Sequence, residues 1–386
     1  MKNYVPELKY ETVVHKEIVR RRIVPPGMME LPFDEPSFNL TEIGRRRREF
    51  VALFDSYADK PLHPDLLRYW ANKGLKKELF DADHDDAKYA YSVFTPLDID
   101  PEKKYALIYY SHGGGHNIEM AEIYGFNELA AIEKYIIVYP QNGGRSNDEV
   151  DTEFGRIMGE LKKKGYPIDW ERVYTAGFSS GSDAAISAAC TYPDMVAAVS
   201  AMTGGNVFTQ KRFYTGPEYY ASTKGLRIPC FFCGGTVDRS NFPAPWILDH
   251  EGILGSPGDH GVPKMEYAVE NLNIWLREIG KIKNYTPLTL DGIKDLLRNS
   301  DDPVEKESGL IFDKTFSFTA QGTNWIGGDY YGDDGAPAVR YVRAYGIPHV
   351  IWESEANVVW DYLKHFRRDL NTGESIYDPV VCWGER

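Results

Sequence analysis

A serine between two glycines is the first feature of this sequence whose residue types and spacing suit chemistry. Ser179 stands in the segment GFSSG, between Gly177 and Gly181, with a β-branched run before it and an alanine-rich run after it. Glycines at these positions remove side chains where two backbone segments must nearly touch. A tight turn from a strand to a helix, holding a serine hydroxyl in the open, has this requirement. The spacing therefore predicts a nucleophile at Ser179.

A serine hydroxyl is a weak nucleophile unless a base removes its proton, and that base must itself be oriented by a third group. In a sheet that presents a serine in this way, the partners follow in the chain order serine, acid, histidine. Asp238 comes just after the apolar run IPCFFCGG, and His349 follows a later run, AVRYVRAYG. Their order and their places at strand ends predict Ser179, Asp238 and His349 as the catalytic residues.

A glycine-rich segment offers donors for the negative oxygen that develops during acyl transfer. The segment SHGGGHN follows the run KYALIYY, which we expect to lie beside the strand that leads to Ser179. Gly114, Gly115 and the backbone N–H of Ser180 are the predicted donors of this oxyanion hole.

Short apolar runs that alternate with helical segments must position these side chains. Continuous apolar runs of this kind are typical of parallel strands buried on both faces. The active site of such a sheet lies at the carboxyl ends of its strands. The sequence therefore predicts an α/β fold with a mostly parallel, doubly wound sheet flanked by helices. The five runs are KYALIYYSHGGG, KYIIVYPQN, RVYTAGF, MVAAVSAMTGG and IPCFFCGGTVD.

The domain organisation is predicted from the point at which short apolar runs begin to alternate with helical segments. Residues 1–86 are interpreted as an N-terminal extension packed on a main domain of residues 87–386, and HPDLLRYWANKGLKKELF within the extension is interpreted as helical. A polar, loop-rich insertion at about 283–312 precedes His349.

Charge and composition argue against several classes of function. The chain has 386 residues and a formal net charge of −13, so we expect no nucleic-acid partner, because phosphate binding needs a clustered positive surface. The N-terminal residues contain no apolar signal-peptide segment, and nothing approaches a membrane span. We expect no membrane partner and a cytoplasmic enzyme, or a secreted one if a leader has been removed. The oligomeric state stays open.

The cysteines are interpreted as buried apolar residues. Cys230 and Cys233 form a CxxC pair within a predicted buried strand, where residues three apart face opposite sides. A redox or metal-binding pair is therefore not expected. The acidic segment DADHDD lacks the glycine and the glutamate of a calcium loop. No metal or other cofactor is predicted.

Other polar residues near the predicted site are given structural roles. His112 flanks the glycine-rich segment, where we expect hydrogen bonds that hold the loop. Ser182 and Asp183 follow the elbow, where helix capping or a surface position is expected. His365 is expected on the surface of the last helix.

Aromatic segments are candidates for the wall of a substrate pocket. NFPAPWILDH and TNWIGGDYYG are interpreted as loops at the site, and a further tryptophan follows His349 closely. Trp246, Trp325 and Trp352 are therefore predicted to contact substrate, and an aryl or sugar ester would suit them. A surface or core role for these rings stays open.

From about Tyr89 to Arg368, the chain resembles the polyhydroxybutyrate depolymerase-like esterases of the α/β-hydrolase superfamily, which include feruloyl and acetylxylan esterases. The resemblance implies an α/β-hydrolase fold, hydrolysis of carboxylic esters, and Ser179, Asp238 and His349 as the triad. The N-terminal extension and the insertion lie outside the family pattern. The segments that carry the resemblance are YYSHGGGHN, IIVYPQN, IDWERVYTAGFSSGSDAAISAACTYPDMVAAVSAMTGG, CGGTVD and GIPHVIW.

The sequence thus predicts a serine esterase that works through an acyl-enzyme. Feruloyl, acetyl-sugar and short-chain hydroxyacyl esters are the candidate substrates. Two alternatives stay open. One is an acyltransferase or peptidase with the same triad, and the other is a catalytically silent binding protein with a hydrolase fold.

Overall fold

The computed structural model describes most of the chain between residues 62 and 379. The predicted extension lies largely outside the described residues, as do Gly115 and Trp352. The described residues are 14–15, 18–19, 62–81, 89–114, 118–122, 124–141, 147–203, 223–236, 238, 241–249, 265–320, 323–347, 349, 351 and 353–379.

The described strands are β1 (Val14–His15), β2 (Ile18–Val19), β3 (Leu75–Phe80), β4 (Tyr91–Pro96), β5 (Tyr105–Ser111), β6 (Ile136–Pro140), β7 (Ile168–Phe178), β8 (Val196–Met202), β9 (Cys230–Gly235), β10 (Lys314–Ala320), β11 (Thr323–Tyr331), β12 (Pro337–Ala344), β13 (Phe366–Arg368) and β14 (Ser375–Tyr377). Ten of them form a single sheet in the order β10-β11-β12-β9-β8-β7-β5-β6-β4-β3. The other described strands pair as β1 with β2 and β13 with β14.

The centre of the ten-stranded sheet is parallel, and its two sides are antiparallel. Strands β12, β9, β8, β7, β5 and β6 run parallel to their neighbours in this order. Antiparallel pairing adds β4 and β3 at one edge and β11 and β10 at the other. The five apolar runs are β5 to β9, and β5 lies beside β7. The predicted α/β fold with a mostly parallel sheet is confirmed.

Helices cover the sheet on both faces, so alternate residues of one strand enter different cores. In β9, Cys230 and Phe232 belong to one apolar cluster, and Phe231 and Cys233 belong to the other. Both clusters are buried, which explains why the strands are continuously apolar. The helices are Pro64–Asn72, Ile118–Glu122, Phe126–Glu133, Asn147–Lys164, Ser180–Thr191, Met265–Ile274, Leu290–Asn299, Pro303–Ser308 and Glu353–Leu363, with a 3₁₀ turn at Pro245–Asp249 and a π-helical turn at Trp275–Ile279.

The interpretation of the CxxC pair is confirmed, because Cys230 and Cys233 lie on opposite faces of β9. Both thiols are free and buried. Burial raises the pKa of both well above the ordinary value for cysteine. They are therefore neutral core residues at physiological pH.

The helical interpretation of residues 63–80 is wrong for its second half. The helix Pro64–Asn72 ends just before Gly74, which has a φ of +83°. A positive φ suits glycine and interrupts a helix. The chain then continues as β3, which pairs antiparallel with β4. The division predicted between residues 86 and 87 therefore falls between two paired strands of the central sheet.

The predicted loop-rich insertion contains two helices. Leu290–Asn299 begins after Thr289, whose hydroxyl accepts from the N–H of Gly292. Pro303–Ser308 begins after Asp302, whose carboxylate accepts from the first free N–H groups of the helix. Such caps satisfy donors that the first turn leaves unpaired.

In the described part of the chain, the helices are all too short or too polar to span a bilayer.

Candidate active site

A tight turn places Ser179 between β7 and the helix Ser180–Thr191. Its backbone has φ 54° and ψ −121°. A Cβ on Gly177 would lie 2.0 Å from the carbonyl oxygen of Gly181, and one on Gly181 would lie 2.2 Å from that of Ser111. Both distances are far below van der Waals contact, so only glycine fits at either position without displacing backbone. The two glycines therefore serve the close approach that their spacing predicts.

A hydrogen-bonded relay connects the three predicted catalytic side chains. Nε2 of His349 lies 2.9 Å from Oγ of Ser179, and Nδ1 of His349 lies 3.0 Å from Oδ2 of Asp238. The side chain of Asp238 is 1% exposed and that of His349 is 39% exposed. When Nδ1–H donates to the carboxylate, Nε2 is left free to accept the serine proton.

The three residues reach this position from the carboxyl ends of parallel strands. Ser179 directly follows β7, Asp238 follows β9, and His349 follows β12. The chain order is thus serine, acid, histidine, which differs from the orders in which other folds present the same triad.

The chain has the α/β-hydrolase fold.

Asn241 holds the acid and was not predicted from the sequence. Its Nδ2 donates to Oδ2 of Asp238 at 3.0 Å and lies 3.3 Å from the carbonyl oxygen of Gly235. A Cβ on Gly234 would lie 2.1 Å from this nitrogen, so the glycine makes room for the amide. The available signal was an asparagine three residues after Asp238, following the glycine pair that ends β9.

Trp246, one of the predicted substrate contacts, is half-buried in the 3₁₀ turn that follows this loop. Its indole N–H donates to the carbonyl oxygen of Asn241 at 2.8 Å. The ring therefore supports the loop that carries the acid, and contact with substrate stays a prediction.

The loop that carries His349 is tied to the end of β9. A Cβ on Gly235 would lie 1.6 Å from the carbonyl oxygen of Ile347, so the two backbones are in direct contact. The hydroxyl of Thr236 accepts from the N–H of Gly346 at 2.9 Å. The ring of Phe178 packs on the imidazole of His349 with centroids 5.1 Å apart. These contacts fix the histidine loop relative to the acid.

The glycine-rich loop lies against the elbow, where the oxyanion hole is predicted. A Cβ on Gly114 would lie 3.4 Å from Oγ of Ser180, which places Gly114 beside the start of the helix. Ser180 is the first residue of that helix, so its N–H is not used within the helix and lies at the positive end of the helix dipole. Gly114 and Ser180 are thus adjacent, while Gly115 lies outside the described residues.

His112 holds the glycine-rich loop, as expected. Its buried ring has Nδ1 2.9 Å from the carbonyl oxygen of Gly113 and Nε2 2.9 Å from that of Gln141.

The prediction that Trp325 lines a substrate pocket needs correction. It lies on β11, not on a loop, and is 0% exposed. Its ring stacks on that of Phe318, with an interplanar angle of 3° and centroids 6.0 Å apart. Trp325 is therefore a core residue. Trp352 lies outside the described residues.

The surface position that was expected for His365, and that was offered beside helix capping for Ser182 and Asp183, is also wrong. Ser182 and Asp183 are buried, and Oγ of Ser182 lies 2.9 Å from the carbonyl oxygen of Gly177. His365 is half-buried, Nδ1 lies 2.7 Å from the carbonyl oxygen of Asp378, and burial lowers its pKa. Ser182 supports the elbow from beneath, and His365 fastens the C-terminal hairpin.

Among the described side chains, no group of His, Cys, Asp and Glu is arranged to hold a metal ion. The absence of a metal or cofactor stays a prediction.

The chain is similar in sequence to a bifunctional acetylxylan esterase/xylanase from Neocallimastix patriciarum. The two are 28% identical over 169 residues, which cover 42% of this chain and 22% of that protein. The match thus spans about a fifth of the relative's length. It confirms the resemblance to acetylxylan esterases that the motifs predict. No family model matches the chain.

Two solved structures show similarity in three dimensions. A feruloyl esterase module from Clostridium thermocellum, complexed with sinapinate, is 17% identical, with a TM-score of 0.41 over 75% of this chain and 86% of that chain. An acetyl xylan esterase from Aspergillus awamori is 13% identical, with a TM-score of 0.45 over 75% of this chain and 99% of that chain.

Proposed function

We propose that this chain is a serine esterase that hydrolyses carboxylic esters through an acyl-enzyme. The relay carries the proposal, because Ser179, His349 and Asp238 are joined by contacts of 2.9 and 3.0 Å at a strand-to-helix elbow. A serine with an oriented base is the arrangement that nucleophilic acyl transfer requires.

In the acylation step, Oγ of Ser179 attacks the ester carbonyl carbon while Nε2 of His349 takes the hydroxyl proton. Asp238 holds the imidazole in the required tautomer and stabilises its protonated form. The N–H groups of Ser180, Gly114 and Gly115 donate hydrogen bonds to the oxyanion. Losing one such donor raises the activation free energy by about 3 kcal/mol.

Acylation ends when the first tetrahedral intermediate collapses, because the ester C–O bond breaks and protonated His349 gives its proton to the departing alcohol. Water then enters, loses a proton to Nε2, and attacks the acyl-enzyme. Collapse of the second tetrahedral intermediate breaks the bond to Oγ of Ser179, which regains its proton from His349, and releases the acid.

The proposed substrates are esters linked to carbohydrate, either acetyl-sugar or feruloyl-sugar. Sequence similarity to an acetylxylan esterase supports this class. Burial of Trp325 leaves Trp246 and Trp352 as the aromatic candidates for a pocket wall. A panel of acetylated xylan, methyl ferulate and p-nitrophenyl butyrate separates the two acyl types, because a pocket built for a flat acid favours the ferulate. The net charge of −13 also supports a substrate other than nucleic acid.

Replacing the nucleophile tests the function directly. We expect Ser179→Ala to lower kcat for p-nitrophenyl acetate by at least about a thousandfold, because the base then has no hydroxyl to activate. The measurement is steady-state hydrolysis, with circular dichroism to show that the variant is folded.

Thr372→Ala is the matched control for loss of a hydroxyl. Thr372 is exposed in the turn between β13 and β14. Arg368 binds the hairpin to the start of β8, whereas the N–H of Ser179 donates to a carbonyl oxygen at the opposite end of β8. Thr372 is therefore remote from the nucleophile. Turnover by folded Ser179→Ala equal to that of the control would refute the proposal.

Two further measurements separate the alternatives. A catalytically silent binding protein would leave Ser179 unlabelled by a fluorophosphonate. An acyltransferase would transfer the acyl group to an added alcohol in preference to water.

A further inference from the structure

A buried arginine lies behind the loop that carries the acid. Arg343 is on β12 and is 2% exposed. Its backbone is in register with Gly234 of β9, the strand from which the chain continues to Asp238. Arg343 and Asp238 therefore belong to the same edge of the sheet, although they are 105 residues apart in sequence.

The guanidinium binds the far side of the acid loop. Nη2 of Arg343 donates to the carbonyl oxygen of Pro243 at 2.7 Å and also contacts the hydroxyl of Tyr341. That hydroxyl lies 2.8 Å from the carbonyl oxygen of Phe242 and 3.1 Å from that of Pro243. Two side chains of β12 thus hold two consecutive carbonyls of the buried segment 241–244.

Asp238 is a buried carboxylate whose charge acts on this cation. Burial lowers the pKa of the Arg343 guanidinium to about 9, and the charges of Asp238, Cys233 and Glu307 oppose that lowering. Arg343 is still a cation at neutral pH.

The other two groups differ from Asp238 in charge or in surroundings. Burial raises the pKa of the Cys233 thiol, which keeps that thiol neutral. The carboxylate of Glu307 accepts from the hydroxyl of the exposed Tyr345 at 3.0 Å. A carboxylate as buried as Asp238 is costly to ionise unless a positive charge lies nearby.

We propose that Arg343 is a positioning residue that keeps Asp238 ionised and holds its loop in place beneath His349. This inference rests on the proposed esterase function. The positive charge lowers the proton affinity of the Asp238–His349 pair, which must lose its extra proton before turnover. Without the charge, the acid limb of the pH profile, on which activity falls as the pH is lowered, moves to higher pH.

Two substitutions separate the charge from the hydrogen bond. Arg343→Gln keeps an N–H donor for Pro243 and removes the charge, whereas Arg343→Lys keeps both a donor and the charge. We expect the midpoint of the acid limb of kcat/KM for p-nitrophenyl acetate to rise by roughly half a pH unit or more in Arg343→Gln. Arg343→Lys should keep the wild-type midpoint.

Tyr341→Phe is the control for loop anchoring alone. It removes the hydroxyl that contacts Phe242 and Pro243 and leaves the charge of Arg343 in place. We expect a lower Tm with the acid limb at its wild-type position. An unmoved limb in folded Arg343→Gln, or equal movement in the Gln and Lys variants, overturns the proposal. Arg343→Met replaces Arg343→Gln if the latter does not fold.

NMR titration of ¹³C-labelled histidine tests the charge effect without turnover. The resonance of His349 is assigned by its loss in His349→Gln, and its titration midpoint is compared between wild type and Arg343→Gln. A higher midpoint in Arg343→Gln supports the proposal, and an equal or lower one overturns it. If the wild type hydrolyses no ester, the proposed function fails, while this titration still decides the role of Arg343.

Discussion

At the residue scale, the site joins side chains that are far apart in the sequence. His349 is 170 residues from Ser179 and 111 residues from Asp238, yet it contacts both. The types and the order of the three were predicted from the sequence, because chemistry restricts which residues can act as nucleophile, base and acid. Asn241 was not predicted, because an amide that orients a carboxylate leaves no motif of its own.

Asn241 provides a test of how closely the acid must be held. We expect Asn241→Ala to lower kcat/KM for ester hydrolysis by about tenfold or more, because a hydrogen bond to a charged group contributes roughly 1.5–3 kcal/mol. Steady-state kinetics at neutral pH would measure the loss.

Asn371→Ala is the control, since Asn371 is an exposed asparagine in the turn between β13 and β14. Equal kcat/KM in the two folded variants would show that the contact between Asn241 and Asp238 does not matter for turnover.

At the element scale, glycines mark the places where backbones meet. The glycine pairs at the elbow and at the end of β9 lie where a Cβ would meet a carbonyl or a side chain. Gly327 and Gly328 have the same role in β11, where a Cβ would lie 2.4 Å from the carbonyl oxygen of Tyr341 or 2.2 Å from the ring of Phe312. The segment TNWIGGDYYG was interpreted as a loop, whereas its two glycines lie inside a strand, where glycine marks close approach.

A pair of glycine-to-alanine changes tests this argument. We expect Gly177→Ala to lower the free energy of unfolding by about 2–4 kcal/mol and to reduce activity, because its Cβ would lie 2.0 Å from a backbone oxygen. Urea denaturation and ester hydrolysis measure the two effects.

Gly159→Ala is the matched control in the helix Asn147–Lys164. Apart from its chain neighbours and the backbone of its own helix, no atom lies within 4 Å of its added Cβ, so we expect stability to rise by about 0.5–1 kcal/mol from helix propensity. A Gly177→Ala protein as stable and active as wild type would contradict the elbow geometry.

At the scale of the whole molecule, the segment before residue 87 contributes to the central sheet. Lys77 of β3 forms a fully buried ion pair with Glu122, with Nζ and Oε1 2.7 Å apart. The indole N–H of Trp70 also donates to Glu122 at 3.3 Å. Glu122 ends the short helix that follows the glycine-rich loop. The edge strand is thus connected to the helix Ile118–Glu122.

We expect Lys77→Met to lower the free energy of unfolding by about 3–5 kcal/mol, because it leaves Glu122 as an uncompensated buried charge. The double variant Lys77→Met/Glu122→Leu should recover much of this loss, since no buried charge then remains. Urea denaturation of the single and double variants measures the coupling between the two residues.

Lys224→Met is the control, because Lys224 pairs with Asp194 on the surface, where the two side chains are 59% and 53% exposed. Its effect should stay within about 1 kcal/mol. A loss in Lys77→Met no larger than in this control would show that the buried pair does not hold the edge strand.

The sequence by itself determined the five central strands and the three residues of the relay. Five apolar runs predicted β5 to β9, and the spacing of Gly177, Ser179 and Gly181 predicted the elbow. These predictions succeeded because they depend on local properties. Buried parallel strands must be apolar along their length, and a tight turn must have glycine where backbones touch.

The tertiary structure alone decided which distant segments meet. The pairing of β3 with β4, the burial of Trp325, and the convergence of Asn241 and Arg343 on the acid loop depend on neighbours far away in the chain. A side chain's burial and hydrogen-bond partners are properties of what packs against it, and the local sequence does not specify that neighbour.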